Sequence, residues 1–391
     1  MGALVAERNR KMATSAHAFM RGSTVRFYEW LAAHRLTLPD GPPLWICGDC
    51  HVGNLGPVAS GDGAVAIQIR DLDQTVIGNP AHDVLRLALS LAMAARGSDL
   101  PGVTTARMLE RVVVGYDSAF APGAQGEVFD TEAFMPRVVR QVMRSAAQRS
   151  WRHLADERIE GDAPTIPLGK RFWPLTANER RAVEALMAQD DMKRLVTSLR
   201  GRKADSTVRV LDAAFWRKGC SSLGLLRVAV LVAVGTGRAE RHCLMDVKEA
   251  TASVAPRSAG MSMPQDDADR VVTGARNLSL FLGARMAASH MLGRAVFLRE
   301  LLPQDLKFEI EHLAAEEAMN VAEFLAHVVG RGHARQMDEA SRRAWRAELA
   351  KGQSRTFGAP SWLWNSVVDA VGTYESAYLQ HCRDWALADA A

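Results

Sequence analysis

Residues 48–54 of the chain are GDCHVGN, and residues 70–83 are RDLDQTVIGNPAHD. The two stretches place a carboxylate, an amide and a second carboxylate close together in sequence, at Asp49, Asn54 and Asp71. Apolar and polar residues alternate just before Asp71, which predicts a strand, and a Gly-Asp-Gly turn precedes that strand. We therefore expect a short hairpin that brings Asp71 back beside Asn54.

These residue types at this spacing match the needs of phosphoryl transfer. That reaction needs a carboxylate to orient or deprotonate the acceptor hydroxyl, and oxygen ligands to hold Mg²⁺ on the phosphates. Asp49 is predicted to be the carboxylate that meets the hydroxyl, and His51 is a candidate catalytic or loop-orienting group. Asn54 and Asp71 are predicted to hold Mg²⁺, with Asp73 as a further or supporting ligand.

Hydrophobic periodicity predicts a mixed α+β chain. A buried helix is expected over residues 80–96, three antiparallel strands over 206–250, and a further strand over 295–301. Residues 5–35 predict one or two short helices, and a helix is expected to begin near 266. Further helices are expected at 104–120, 130–155, 176–200 and from Asp305 onward.

Composition limits the class of protein. The 391 residues are 48% hydrophobic and 24% charged, which is enough for a large core. A net charge of +4 is too small to indicate nucleic-acid binding. Five scattered cysteines are typical of a reducing compartment. The sequence has no apolar run long enough to predict a membrane span. We therefore expect a cytoplasmic protein that binds neither membrane nor nucleic acid; the sequence does not indicate the oligomeric state.

The two opening stretches resemble the catalytic core of aminoglycoside and choline phosphotransferases, within the protein-kinase-like superfamily. The resemblance implies that Asp49 is the catalytic Asp, that Asn54 and Asp71 are metal ligands, and that ATP and Mg²⁺ are cofactors. His51 matches a loop His of small-molecule kinases. Asp83, in GNPAHD, matches an Asp that braces the catalytic loop from a buried helix.

In such kinases the nucleotide-binding lobe precedes this loop, but here only 47 residues come before Gly48. The expected strands at 206–250 would supply that lobe downstream, with Lys248 in LMDVKEA placed for the α- and β-phosphates. The turn KGCSSLG would cover the phosphates through the residues Gly219, Ser221, Ser222 and Gly224.

The expected fold is therefore a two-lobed kinase-like fold in circularly permuted order, with a small antiparallel sheet lobe and a large helical lobe. Its segments are 1–205, the first part of the helical lobe with the catalytic and metal-binding loops; 206–302, the nucleotide-binding lobe; and 303–391, the remaining helices. The order, together with the phrases FMRG, VKEA, RVVTGAR, FLRELLP and GHAR, resembles the bacterial family called domain of unknown function 2252.

The chain departs from the kinase pattern at the lysine. Kinases pair this lysine with a helix Glu, but the position that aligns with it is Thr273. This implies that Lys248 is unpaired or pairs with another acid, such as Glu249 or Glu300, which is also a candidate for the nucleotide site. Cys47 replaces the usual His before Gly-Asp.

The expected activity is phosphoryl transfer to a hydroxyl of a small molecule or a protein. A nucleotide-binding pseudokinase or regulatory module is the alternative, and nucleotidyl transfer on the same fold is another. A zinc or redox site at Cys47 and Cys50 is a third possibility, although the sequence offers no second ligand pair.

Overall fold

The computed structural model of the chain describes residues 2–34, 38–98, 100–121, 135–149, 165–199, 201–219, 223–237, 240–306, 313–352 and 358–389. The chain combines helices and antiparallel strands, so the predicted α+β class is confirmed. In the described part of the chain, every helix is too short or too polar to span a lipid bilayer.

The N-terminal half is mainly helical. Its helices are α1 (Gly2–Met12), α2 (Ala16–Gly22), α3 (Thr24–Ala33), α4 (Ala81–Gly97), α5 (Gly102–Ser118), α6 (Arg137–Gln148), α7 (Ala177–Met187) and α8 (Asp190–Thr197). Short strands lie between α3 and α4, namely β1 (Leu44–Ile46), β2 (Leu55–Ala59), β3 (Val65–Ile69) and β4 (Val76–Gly78). β1 pairs with β4, and β2 pairs with β3.

The large sheet begins with a short strand before α7, and its other strands and the C-terminal helices lie in the second half of the chain. The strands are β5 (Phe172–Trp173), β6 (Val208–Trp216), β7 (Arg227–Val234), β8 (Arg241–Glu249), β9 (Met286–Met291) and β10 (Arg294–Glu300). The helices are α9 (Asp267–Leu278), α10 (Leu280–Gly283), α11 (Ala315–Ala334), α12 (Glu339–Leu349) and α13 (Ser361–Asp389). Among the described residues the strands form one antiparallel sheet in the order β5-β6-β7-β8-β10-β9.

The three strands predicted over 206–250 are confirmed as β6, β7 and β8. β9 was not predicted, because its sequence MAASHM is short and lacks a run of β-branched residues. The segment predicted as one helix over 176–200 is two helices, since α7 ends at Met187 and α8 begins at Asp190.

Side chains alternate across the sheet and separate its two faces. The outer face packs against α7 and α8 in one apolar cluster. Its strand residues are Val228, Val230, Val232, Met245 and Val247. Residues that pack with the sheet therefore begin well before the boundary predicted at 206. The inner face carries apolar residues at one end and, at the other, the polar side chains described below.

The helical core is built around α4, which is buried on nearly every side. A helix that is apolar all round is expected at the centre of a large core. Next to it, α5 crosses α11 at close range: a Cβ at Gly115 would lie 1.9 Å from the carbonyl oxygen of Glu323, and one at Gly330 would lie 2.7 Å from the Ala119 Cβ. The buried α4 carries two charged residues, Asp83 and Arg86, whose partners lie in the loop after β1.

Candidate functional site

The loop after β1 is held in place through its backbone. Asp83 is fully buried, and its carboxylate accepts hydrogen bonds from the backbone N–H groups of Cys47 at 2.7 Å and Gly48 at 3.0 Å. Tyr28 donates to the Gly48 carbonyl at 2.7 Å, and His333 contacts Asp83 at 3.1 Å. The structure thus places Asp83 where the resemblance implied, directly behind the loop. His333 is enclosed in the core rather than in the cleft.

Asp49 faces a cleft and is fixed by a buried arginine. Nε and Nη2 of Arg86 both lie 3.0 Å from Oδ1 of Asp49. The same guanidinium donates to the Tyr374 hydroxyl at 3.2 Å and to the Met20 carbonyl at 2.8 Å. Burial raises the pKa of the Asp49 carboxyl above its ordinary value, and Arg86 limits the rise. A raised pKa makes Asp49 a better proton acceptor than an exposed carboxylate.

The predicted hairpin is confirmed. β2 pairs with β3 so that Leu55 faces Ile69, and the Arg70 N–H donates to the Asn54 carbonyl at 2.7 Å. This pairing brings Asp71 back to Asn54, whose side-chain amide donates to the Asp49 carbonyl at 3.0 Å. Asp49, Asn54 and Asp71 therefore line the same cleft.

Lys248 reaches this hairpin from the sheet. Its ammonium forms a salt bridge with Asp73 and lies 3.5 Å from Oδ1 of Asp71, although the side chain is only 7% exposed. The Asp71 side chain is 47% exposed to the cleft. Desolvation opposes ionisation of Asp71, but Lys248 and Arg299 outweigh it and hold its pKa below the usual range. Burial and the Asp71 charge raise the pKa of Asp73.

The acids named as alternative partners of Lys248 lie elsewhere. Glu300 is opposite Met245 on β8, on the face of the sheet away from Lys248, because neighbouring positions of a strand point to opposite faces. It pairs with Arg202 at 2.6 and 2.7 Å. Glu249 pairs with Arg294 at 2.7 Å. The structure does not bring either acid to the lysine.

The residues of the predicted phosphate-covering turn divide between two places. Gly219 lines the cleft, and its carbonyl accepts a hydrogen bond from Lys11 at 3.2 Å. Gly224 instead lines a separate pocket beside Arg294. Ser221 and Ser222 lie outside the described residues.

His51 lies beside Asp49, with Nε2 3.8 Å from Oδ2 of the carboxylate. Burial, together with Arg86 and Arg21, lowers the pKa of His51 well below its ordinary value, so the ring is neutral. Its buried Nδ1 has no hydrogen-bond partner among the described residues. His51 is therefore placed to position a neighbouring group rather than to carry a charge.

The neighbouring cysteines are packed into the core. Cys47 and Cys50 are buried, and hydrogen bonding to Cys50 together with burial raises the pKa of Cys47 well above its ordinary value. Reactive and metal-binding cysteines act as thiolates, and this environment favours the thiol. Within the described ranges, no three His, Cys, Asp or Glu side chains are arranged to hold a metal ion.

The cleft has a volume of about 520 Å³, in the range of small-ligand sites. Its walls are strongly basic, a property that the sequence motifs did not predict. Among the residues that the structure describes, the basic side chains that line it are Lys11, Arg21, Arg70, Arg217, Lys218, Arg227 and Arg299. Of these, Arg21 belongs to the phrase FMRG, and Arg70 directly precedes Asp71 in the quoted motif.

The basic residues of the sheet are held rigidly. Arg227 donates to both oxygens of Asp246, at 2.8 and 2.5 Å, and stacks over the ring of Trp216. Nη1 of Arg299 donates to the Arg70 carbonyl at 2.9 Å. Because β7 and β10 flank β8, Arg227 and Arg299 lie on either side of the strand that carries Lys248. The sheet thus presents Arg227 and Arg299 to the cleft, on either side of Lys248, which contacts Asp71.

Comparison with known proteins gives a family. The model of a family described as "Uncharacterized protein conserved in bacteria (DUF2252)" matches residues 1–384. No curated protein and no solved structure matches the chain.

Proposed function

Because the chain belongs to the bacterial family DUF2252, whose description names no reaction, we propose a function from the cleft itself: ATP- and Mg²⁺-dependent phosphoryl transfer to a hydroxyl group. The observation that carries the proposal is that Asp49, Asn54 and Asp71 line one basic cleft and that Lys248, which is far away in sequence, contacts Asp71. This set contains the groups that phosphoryl transfer requires.

The topology of the sheet supports a kinase-like fold in permuted order. Lys248 is on β8, the third of three consecutive antiparallel strands, and the turn between the first two reaches the cleft at Gly219. α9 follows the lysine strand and packs beside β9 and β10. The resemblance of the motifs predicted this arrangement of turn, lysine strand and helix.

In the proposed reaction the acceptor oxygen forms a bond to the γ-phosphorus while the bond from that phosphorus to the β,γ-bridging oxygen breaks. ADP leaves with the electron pair, and the hydroxyl proton passes to the Asp49 carboxylate. Arg86 holds the carboxylate in one orientation and stays outside the reaction. Lys248, Arg227 and Arg299 would bind the phosphates of the nucleotide.

The residues beside the cleft fit a magnesium ion. Mg²⁺ is commonly bound by one or two carboxylates together with substrate phosphates and water, so it does not need a cluster of three acids. The Asp71 carboxylate is half-exposed, and Oδ1 of Asp73 is buried without a hydrogen-bond partner among the described residues. Asp71, Asp73 and the amide oxygen of Asn54 would hold the ion. It would neutralise charge that develops on the phosphate oxygens.

One contact favours a nucleotide-binding pseudoenzyme as the second candidate. Lys248 bridges Asp71 and Asp73, so the group proposed for phosphate and the groups proposed for metal neutralise each other in this conformation. In an active enzyme the nucleotide and its metal must separate them. A pseudoenzyme would bind ATP without forming any product.

The experiment compares Asp49→Asn and Asp71→Ala with Asp190→Asn, a control whose side chain is 83% exposed and does not line the cleft. Each protein is first tested for nucleotide binding by thermal shift and then incubated with a metabolite extract and γ-labelled ATP. We expect the control to match wild type and both site variants to lose about 10²-fold or more of the label transfer. Equal transfer by all four proteins would contradict the proposal.

Two further results separate the alternatives. Binding of ATP with no labelled product from any acceptor would support the pseudoenzyme. Label transferred from α-labelled but not from γ-labelled ATP would support nucleotidyl transfer.

A further inference from the structure

The charge of the cleft determines which acceptors it attracts and which it repels. Among the described residues, seven lysines and arginines line it against two carboxylates, Asp49 and Asp71. Five of the seven cations remain when Arg227 and Arg299, assigned above to the nucleotide phosphates, are set aside. Aminoglycosides and choline, the acceptors of the enzymes that the motifs resemble, are cations. Such an acceptor would be repelled by these walls, whereas an anion would be attracted and concentrated there.

Most of the basic side chains already have internal partners. Arg217 pairs with Glu7, and Arg227 pairs with Asp246. Arg21 is different, since within the described part of the chain its guanidinium makes no hydrogen bond or salt bridge. Among the same residues its Nε is buried without a hydrogen-bond partner, as are those of Arg217 and Arg299, each of which is paired through another nitrogen. A buried donor without a partner costs free energy, and an anion in the cleft would remove that cost.

The position of Arg21 is fixed by the loop. A Cβ at position 53 would lie 2.8 Å from Cζ and Nη2 of Arg21, so the guanidinium lies against the backbone of Gly53. Gly53 is in the loop that contains Asp49 and His51, and Arg21 contributes to the lowered pKa of His51. Arg21 comes from α2, on the helical side of the cleft, whereas Lys248 comes from the sheet.

We propose that the acceptor is an anion: a hydroxyl compound that also carries a phosphate or carboxylate group, which binds Arg21 while the hydroxyl meets Asp49. Guanidinium groups bind such oxyanions through paired hydrogen bonds. This inference rests on the proposed phosphotransferase function and names the class of its substrate.

The test uses calorimetry on the full chain in two titrations: ADP is titrated in the presence of Mg²⁺, and inorganic phosphate, the probe, is then titrated in the presence of excess Mg²⁺ and ADP. We expect saturable phosphate binding that Arg21→Gln weakens about ten- to hundredfold, with ADP affinity changed less than about twofold. Arg343→Gln is the matched control, because its side chain is 67% exposed and pairs only locally with Glu339. It should leave both affinities unchanged.

Gly53→Ala provides a second variant that keeps the charge. The new Cβ would push the Arg21 guanidinium away from the loop, so phosphate binding should weaken although no cation is removed. Arg21→Lys should bind phosphate more weakly than wild type and more tightly than Arg21→Gln, because lysine lacks the paired donors.

Displacement of phosphate then tests the class of acceptor. Glycerol 3-phosphate or glycerate should displace it, and the one that does so at the lower concentration identifies phosphate or carboxylate as the preferred group. Glycerol and the polycation kanamycin should not. The proposal would be overturned if glycerol or kanamycin displaced phosphate as readily as the anions do. It would also be overturned if none of the four compounds displaced phosphate.

The outcomes also separate this inference from the proposed function. If ADP binds but phosphate affinity does not depend on Arg21, the proposal of an anionic acceptor is overturned and the proposed nucleotide function is not. Phosphate binding that depends on Arg21 without any ADP binding would leave the anion site standing and overturn the nucleotide function. Absence of phosphate binding would overturn the inference whether or not ADP binds. So would equal phosphate affinity in wild type and Arg21→Gln, because the phosphate would then be an adventitious ion only.

Discussion

Replacing Arg86 by methionine should strongly destabilise the protein. Arg86 is fully buried and is the partner of the Asp49 carboxylate, which is only 13% exposed. The substitution also leaves the Tyr374 hydroxyl and the Met20 carbonyl without their donor. Breaking a buried ion pair by removing one member costs about 3–5 kcal/mol, so we expect a loss of that size in the free energy of unfolding.

Urea unfolding at pH 8 provides the measurement, with Arg96→Met as the control. Arg96 lies on the same helix, but its side chain is 55% exposed and its pair with Glu375 is on the surface. Such pairs contribute about 0–1 kcal/mol. The double variant Arg86→Met/Asp49→Asn should lose about 2 kcal/mol less than the sum of the two single losses, since it leaves neither charge unpaired.

The dependence on pH gives the sharper check. Burial raises the pKa of Asp49, and Arg86 opposes that rise, so the pKa of Asp49 should rise further in Arg86→Met. A carboxyl whose folded pKa is raised stabilises the fold below its unfolded pKa, and this stabilisation is lost as the pH increases. The deficit of Arg86→Met relative to wild type should therefore be smaller at pH 5 than at pH 8. A deficit no larger than that of Arg96→Met, or one that grows as the pH falls, would refute this account.

Two further predictions concern the helices: the first tests their packing and the second tests the burial of a histidine. Gly115→Ala should destabilise the protein by about 1–3 kcal/mol in thermal unfolding, because the added Cβ would clash with the Glu323 carbonyl, whereas Gly372→Ala, in open space on α13, should be neutral or stabilising. Burial lowers the pKa of His327, which contacts Ser118 at 2.8 Å, to about 4. Because the unfolded chain then binds the proton more tightly, wild type should lose about 2 kcal/mol more than His327→Gln between pH 7.5 and pH 5, and equal losses would contradict this.

The sequence predicted those features that depend on local pattern. α4 was expected because apolar residues fill the segment without Gly or Pro, and the β2–β3 hairpin because alternation follows a turn signal. The three N-terminal helices were expected as one or two, since nothing in their periodicity marks the break that Ser23 makes between α2 and α3. Periodicity identifies an amphipathic segment more reliably than it locates its ends.

The contacts of the site could not be predicted in the same way. Lys248 was expected to be unpaired or to pair with another acid, such as Glu249 or Glu300. It does pair with acids, but these are Asp71 and Asp73 rather than the two that were named. Which face of the sheet a residue occupies depends on register, and Glu300 lies on the face opposite the lysine. The walls of the cleft are basic because several elements converge on it: α1, α2, the 217–219 turn, β7 and β10. The spacing of residues in the sequence does not predict that convergence.

The supporting residues and the cleft-facing residues of the loop have different energetic roles. Asp83 and Arg86 hold the loop from inside the core, and their partners are buried backbone or side-chain groups that would remain unpaired after substitution. Asp71 and Arg21 instead face the cleft, where solvent can hydrate what a substitution uncovers. Variants of Asp71 and Arg21 should therefore report on binding and turnover in a folded protein. Variants of Asp83 and Arg86 would change stability and activity together, and for that reason they cannot establish which reaction the cleft performs.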